Sequence, residues 1–224
     1  MRFRFHGGRL SAIMKGGAIA ALAGARAGGV GVRIVDLQAV RRDVCRIARD
    51  LFWMGLQSPR SGNLSVMLED GRGFLITRRG SSFRSLEPDR DVITVEFGRA
   101  LPAEASSEVA VHRAILQGTP HRAIVHAHPP YAIALSFNSS VIRPIHNEGR
   151  AILGDIPVTV STAIEGAGED PAPIAGALRD RQAMIVRGHG AFCAGADLES
   201  AFYCMGVLEA SCKIIHLASR SRPE

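Results

Sequence analysis

Aromatic residues are scarce in this chain, and basic residues do not cluster. Phenylalanine, tryptophan and tyrosine make up 5% of the 224 residues. The formal net charge is +6, but the arginines are scattered and no run of five basic residues occurs. A surface that binds nucleic acid usually combines stacking aromatics with a basic stripe. We therefore expect no nucleic-acid partner, and we interpret the charge as a diffuse field that attracts anionic metabolites.

Closely spaced cysteine pairs and long apolar runs are also missing. No Cys-x-x-Cys motif occurs, and the four cysteines have the character of buried free thiols in a reducing compartment. No 18 consecutive residues are apolar, so we expect no membrane-spanning helix and no membrane partner. These absences predict a cytoplasmic protein.

The first 34 residues differ in composition from the rest of the chain. Residues 1–4 are basic, and residues 16–31 form a tract of mostly glycine and alanine. The apolar stretch is too weak and too rich in glycine for a signal peptide. We expect residues 1–34 to be a flexible or mis-started N-terminal extension, and residues 35–224 to form a single domain.

Helix and strand periodicities alternate after residue 35. Long helices are predicted over residues 35–55 and 197–218, where apolar residues recur at steps of three or four. An Asp-Gly turn signal joins predicted strands 64–68 and 73–77. The other predicted strands are 91–97, 123–126, 156–160 and 183–186, and the other predicted helices are 107–117, 131–137 and 173–180. Because hairpins accompany the interleaved helices, we predict one α/β domain in which helices cover a mixed sheet.

Two histidines stand one residue apart at the end of an apolar strand. His126 and His128 close the segment Ala123-Ile124-Val125-His126-Ala127-His128. Residues two apart on a strand share a face, so both imidazoles point the same way. Neutral imidazole is a common zinc ligand, and a catalytic zinc site typically has three protein ligands and one open position. The pair predicts a metal site if a third ligand lies nearby.

Two further segments carry residues suited to such a site. His189 follows the predicted strand 183–186 between two glycines, which let the backbone bend sharply and approach a ligand closely. Glu108 follows two serines at the start of a predicted helix, where hydroxyls and backbone amides favour an anion. The alternatives are a histidine that only occupies a turn and a glutamate that only compensates a helix dipole.

Five short motifs occur along residues 36–218, and together they resemble one family. They are Ser61-Gly62-Asn63-Leu64-Ser65, Leu75-Ile76-Thr77, Ser106-Ser107-Glu108, His126-Ala127-His128-Pro129 and Gly188-His189-Gly190. Their order and spacing are similar to those of class II aldolases of the L-fuculose-1-phosphate aldolase type, which have an aldolase/adducin-like domain. The resemblance implies a three-layer α/β/α sandwich with a mixed, mostly antiparallel central sheet, assembled as a homotetramer.

The resemblance also implies a set of site residues. His126, His128 and His189 would bind Zn²⁺ or another divalent metal, and Glu108 would be the acid/base carboxylate. The pocket for the substrate phosphate would be lined by Asn63, Gly80, Ser106 and Ser107.

The implied reaction is retro-aldol cleavage of a phosphorylated ketose to dihydroxyacetone phosphate and an aldehyde. A divalent metal stabilises the enediolate that this cleavage leaves, and a carboxylate moves the proton. No lysine is needed for a Schiff base, which agrees with a chain whose two lysines, Lys15 and Lys213, lie outside every motif.

Two positions depart from the family pattern. Arg79 replaces the threonine before Gly80, which adds a cation suited to a carboxylate or phosphate. Asn147 stands where the fuculose-phosphate enzymes carry a tyrosine, which removes a candidate proton donor. A metal-dependent decarboxylase or dehydratase on the same scaffold is therefore an alternative hypothesis. A non-catalytic binding module is a third, although the complete set of imidazoles and Glu108 disfavours it.

Overall fold

A computed structural model of the chain describes residues 36–160 and 169–220. The extension predicted over residues 1–34 lies outside these residues. The described strands are β1 (Asn63–Met67), β2 (Gly73–Thr77), β3 (Val92–Glu96), β4 (Ala123–Ala127), β5 (Val141–Ile142), β6 (Ile156–Thr159), β7 (Ala183–Val186) and β8 (Gly190–Gly195). The described helices are α1 (Leu37–Trp53), α2 (Pro88–Asp91), α3 (Val109–Gly118), α4 (Pro130–Ser136), α5 (Asn147–Ile152), α6 (Pro171–Ala177) and α7 (Leu198–Ala218).

The strands form one mixed sheet in the order β3-β2-β1-β4-β8-β7-β6-β5. Strands β6 and β7 pair in parallel, and the other described pairs are antiparallel. Hairpins join β1 to β2 and β7 to β8, as expected where two antiparallel neighbours follow each other in sequence. The prediction of an α/β fold with a mostly antiparallel sheet is confirmed.

Each face of the sheet is covered by a separate apolar core. Helices α1 and α7 cover one face, whereas α3 and α6 cover the other. Strand β4 shows the alternation that this arrangement requires, because Val125 belongs to the first core and Ile124 to the second. His126 therefore lies on the same face as Ile124, between the sheet and α3. The three-layer sandwich is confirmed.

Helix α7 is the apolar helix beneath the first face of the sheet. By length and composition alone it could cross a membrane, but a helix buried in the core of a soluble protein meets the same criterion. Its residues Cys204, Met205, Leu208 and Cys212 are buried against the sheet, which accounts for their apolar character. The four cysteines of the chain are buried and free, as predicted.

Strand β8 is the main element that the sequence analysis did not predict. Its residues, Gly-Ala-Phe-Cys-Ala-Gly, are all buried and include no charged or strongly polar side chain, so they show no polar alternation. Because β8 pairs with both β4 and β7, it completes the centre of the sheet. Helices α2 and α5 and the two-residue strand β5 were also not predicted, since each is too short to show a period.

Candidate metal centre

Three imidazoles meet where the central strands β4 and β7 end. One ring nitrogen from each of His126, His128 and His189 lies within 4.8 Å of the others. The Nε2 atoms of His126 and His128 are 3.2 Å apart. Two nitrogens bound to one tetrahedral zinc at the usual bond length would be separated by about 3.3 Å. The structure therefore brings together the three histidines that the sequence analysis singled out.

His126 is held by its neighbours on β8. Its Nδ1 lies 2.9 Å from the carbonyl oxygen of Ala191, which can only accept a hydrogen bond. The Nδ1 atom must therefore carry the proton, which leaves the lone pair of Nε2 facing the other imidazoles. The ring also stacks on Phe192, with 4.1 Å between the ring centroids. Strand register causes this stacking, because His126 and Phe192 lie directly opposite each other.

His189 lies in the turn between β7 and β8. Gly188 adopts a φ of +71°, a conformation that glycine accepts without strain. Its backbone amide donates to Ser136 Oγ at 3.0 Å, and Arg187 Nε donates to the carbonyl oxygen of Ser136 at 3.0 Å. Both contacts anchor the turn to the C-terminal end of α4.

Gly190 allows the close approach that the cluster requires. A Cβ atom at this position would lie 2.5 Å from the carbonyl oxygen of Ala127 and 2.8 Å from Cδ2 of His128. It would also lie 3.0 Å from Cε1 of His126. A side chain here would displace two of the three imidazoles, so glycine is required for packing rather than for its φ angle.

Glu108 points at the imidazoles from the start of α3. Its Oε2 accepts a hydrogen bond from Asn63 Nδ2 at 2.7 Å and lies 3.1 Å from His126 Nε2. Its Oε1 lies 3.7 Å from His189 Nε2 and is buried without a hydrogen-bond partner. A buried carboxylate oxygen normally has a partner, and a cation among the imidazoles would supply one.

The buried imidazoles are in the form that binds metal. Burial, with a smaller contribution from the neighbouring His189, lowers the pKa of His126 to about 3. Burial also lowers the pKa of His128 to about 3, with added effects from His126 and His189. Metal ions bind the neutral ring, so protons do not compete for these nitrogens near neutral pH. Three imidazole nitrogens and one carboxyl group are a donor set that suits a divalent transition metal.

The residues predicted to bind phosphate are divided between the buried site and the surface. Asn63 and Ser106 are buried and both contact Glu108, since Ser106 Oγ accepts from the backbone amide of Glu108 at 3.3 Å. Ser107 and Gly80 are exposed. Gly80 has a φ of +73° and open space around its Cα. Asn63 and Ser106 thus stand close enough to orient Glu108, whereas Gly80 and Ser107 face solvent.

Two hydrogen bonds from Arg79 hold the Gly80 loop beside the segment that carries Ser106 and Ser107. The backbone amide of Arg79 donates to the carbonyl oxygen of Glu104 at 2.9 Å, and Arg79 Nε donates to that of Ala105 at 3.2 Å. Arg79 is exposed. The guanidinium is therefore held next to the segment that carries Ser106.

Comparison with known proteins identifies the family. Residues 42–216 match the class II aldolase and adducin N-terminal domain. The chain belongs to this family. The match covers every residue of the histidine cluster and Glu108, and class II aldolases are metal-dependent enzymes.

Individual family members that resemble the chain have different activities. The 3-oxo-tetronate 4-phosphate decarboxylase of Escherichia coli K12 is 32% identical over 189 residues, which are 80% of this chain and 87% of that protein. The L-fuculose phosphate aldolase of E. coli K12 is 28% identical over 171 residues, which are 75% of this chain and 79% of that protein. The crystal structure of L-fuculose-1-phosphate aldolase from Thermus thermophilus is 36% identical, with a TM-score of 0.75, and the match covers 84% of this chain and 98% of that one.

Two further residues support the family site, and one of them, Glu169, was not found from the sequence. Glu169 Oε1 lies 2.8 Å from Nδ1 of His189, and its side chain is 5% exposed. Its only sequence signal was an acidic pair before the proline that opens α6. His112 is fully buried on α3, and its Nδ1 lies 2.6 Å from Ser65 Oγ on β1. Its ring packs edge-on against Phe192, so it supports the ring that stacks on His126.

The pH dependence of the free energy of unfolding should show that the buried His112 ring is neutral in the folded chain. Burial lowers the pKa of this ring to about 3, against about 6.5 in the unfolded chain. Between these values the unfolded chain binds a proton that the folded chain does not, so acidification lowers the free energy of unfolding by about 1.4 kcal/mol per pH unit. We expect His112→Gln to remove this contribution. Urea unfolding of the metal-free proteins between about pH 6.5 and 4 should give the variant the shallower slope, and equal slopes would contradict a neutral ring.

Proposed function

We propose that this protein is a zinc-dependent lyase that breaks a carbon–carbon bond beside the carbonyl group of a phosphorylated sugar derivative. The observation that carries the proposal is the buried Glu108 carboxylate, 3.1 Å from the first of three clustered imidazoles. A divalent ion held by His126, His128 and His189 would act as a Lewis acid toward the substrate carbonyl oxygen and its neighbouring hydroxyl.

Glu108 is placed to move the proton. Asn63 donates to Oε2, which fixes the plane of the carboxylate and leaves Oε1 to carry a proton. After the carbon–carbon bond breaks, the electron pair remains on the carbon next to the carbonyl. Glu108 would deliver its proton to that carbon, and a positioned carboxylate typically contributes about 10²–10⁴-fold to such a step.

Two reactions of this family would require the same proton transfer from Glu108. Retro-aldol cleavage of a phosphorylated ketose such as fuculose 1-phosphate releases an aldehyde and leaves the enediolate of dihydroxyacetone phosphate. Loss of carbon dioxide from a 3-oxo-tetronate 4-phosphate leaves the same enediolate, because its carboxylate is one carbon removed from the 3-oxo group. Protonation by Glu108 then yields dihydroxyacetone phosphate in both cases.

The two reactions require different side chains, and those present favour decarboxylation as the second candidate. Retro-aldol cleavage also needs a group that accepts the proton of the departing hydroxyl, and the exposed Asn147 cannot serve as a base. Carbon dioxide leaves without such a group. The Arg79 guanidinium beside Ala105 could bind a carboxylate or a phosphate through two parallel hydrogen bonds. Similarity to the decarboxylase supports the same candidate.

The products of the zinc-loaded enzyme separate these possibilities. We expect incubation with L-fuculose 1-phosphate or 3-oxo-tetronate 4-phosphate to yield dihydroxyacetone phosphate, measured by its reduction with NADH in a coupled assay. Aldehyde without carbon dioxide supports the aldolase, and carbon dioxide without aldehyde supports the decarboxylase. Loss of water with the carbon chain intact would replace both by a dehydratase. No turnover of either substrate by metal-loaded enzyme would contradict the lyase proposal.

We also propose a cytoplasmic homotetramer in which a sugar phosphate is the small-molecule partner. The family resemblance supports the tetramer, and the four buried free thiols suit a reducing compartment. Light scattering of the purified protein should give about four times the chain mass of 23.9 kDa. A monomeric mass would contradict the assembly.

A further inference from the structure

We infer that Glu169 is a positioning residue for the metal centre, which fixes the ring of His189 and adds a negative charge behind it. The inference rests on the proposed binding of a divalent metal by the three histidines. It extends the site beyond the residues that carry the family motifs, since Glu169 lies between the predicted strand 156–160 and α6.

The hydrogen bond determines which nitrogen of His189 is available. A carboxylate oxygen accepts, so Nδ1 at 2.8 Å from Glu169 Oε1 must carry the ring proton. The opposite nitrogen, Nε2, then has its lone pair and faces Glu108 and the other imidazoles. Rotation of the ring by half a turn would exchange a carbon for the nitrogen and break the contact with Glu169. The carboxylate therefore selects both the tautomer and the orientation that bind metal.

His189 depends on this contact more than His126 does. The His126 ring is completely buried, stacks on Phe192 and donates to a backbone carbonyl. His189 lies in a turn, and its side chain is 29% exposed. Packing restrains a partly exposed side chain less than a buried one. The orientation of the His189 ring therefore depends more on its hydrogen bond to Glu169.

Glu169 is buried where it can respond to a bound metal. Its side chain is 5% exposed, and a buried carboxylate is stabilised by hydrogen bonds and by nearby positive charge. One hydrogen bond comes from the N–H of His189. A divalent ion on the far nitrogen of the same ring would polarise that N–H and strengthen the bond.

The negative charges of Glu169 and Glu108 would together balance the charge of a divalent metal ion. Two carboxylates and three neutral imidazoles around a divalent ion sum to zero. Glu108 changes its charge when it takes up or delivers a proton, whereas Glu169 is engaged with Nδ1 of His189 on the far side of the ring. Glu169 would therefore keep one negative charge beside the ligands throughout the reaction.

Metal titration of the full-length chain tests the inference without any substrate. We expect Glu169→Gln, which keeps an accepting oxygen but loses the charge, to weaken zinc binding by about tenfold, and Glu169→Ala by up to about 100-fold. A chelator competition assay measures both dissociation constants. Asp170→Asn is the matched control, because the adjacent carboxylate accepts from the backbone amide of Ala172 at the start of α6. It should bind zinc as the wild type does.

The visible absorption spectrum of the cobalt-loaded protein separates positioning from general damage. Glu169→Gln should keep the wild-type bands, because the ring stays in place, whereas Glu169→Ala should change their intensity. If Glu169→Ala does not fold, the zinc affinity of Glu169→Gln decides. Wild-type affinity in either folded variant, or equal weakening in Asp170→Asn, would overturn the inference. A wild-type enzyme without lyase activity would overturn only the proposed function, since these measurements contain no substrate.

Discussion

Glu108→Gln should lower the turnover number by about 10²–10⁴-fold, with zinc still bound. Glutamine keeps the shape of the side chain and can still accept the hydrogen bond from Asn63 Nδ2. It cannot carry the proton that must reach the carbon beside the carbonyl. The imidazole cluster is unaltered, so metal should remain. Steady-state kinetics together with metal analysis of the same preparation measure both quantities.

Glu104→Gln is the matched control for this experiment. Glu104 lies on the same segment and is exposed, and its contact with Arg79 is made by the backbone. The same loss of charge should therefore leave turnover within about twofold, as for a surface substitution. If Glu108→Gln retained full activity, Glu108 could not be the proton-transfer group. Loss of the metal in that variant would instead show that Glu108 is a ligand in the resting enzyme.

His189→Ala is expected to abolish stoichiometric metal binding. Structural zinc sites with four ligands bind with about 10–16 kcal/mol, or about 3 kcal/mol for each ligand. The loss of one ligand should therefore weaken binding by about 10²-fold. His189 lies in a turn rather than in the core, so the fold should tolerate its removal. Metal analysis after dialysis against a weak chelator reports the loss, and turnover should fall with it.

His216→Ala provides the comparison for His189. His216 lies on α7, where its ring contacts Tyr131 at 5.4 Å between centroids, and it is not part of the cluster. Zinc content in this variant should equal that of the wild type. Wild-type zinc content in His189→Ala would refute the assignment of His189 as a ligand, whatever the activity of the variant.

Local chemistry made much of the site predictable from the sequence. The pair His126 and His128 followed an unmistakable apolar strand, and strand alternation places both rings on one side. The glycines around His189 marked a turn, and the structure shows why both are needed. Gly188 has a positive φ angle, and Gly190 leaves room for two imidazoles. Glu108 was expected at the start of a helix, and it is the residue before the first turn of α3.

Contacts between distant segments were not predictable in the same way. Nothing near Glu169 in the sequence relates it to His189, which lies 20 residues away across α6 and β7. Asn63 was expected to bind phosphate, and this stays a prediction. That its amide also donates to Glu108 follows from strand register, which places Asn63 opposite His126. The role of β8 was hidden because a strand buried on both faces has no alternating pattern.

The sequence by itself determined the family, the α/β architecture and the residues of the histidine cluster, because each depends on motifs or on periods within a single segment. The tertiary structure decided which atoms meet: the carbonyl behind His126, the carboxylate behind His189 and the unpartnered oxygen of Glu108. Side-chain hydrogen bonds act over about 3 Å. They therefore depend on how the sheet aligns its strands and packs its helices, which no local sequence pattern specifies.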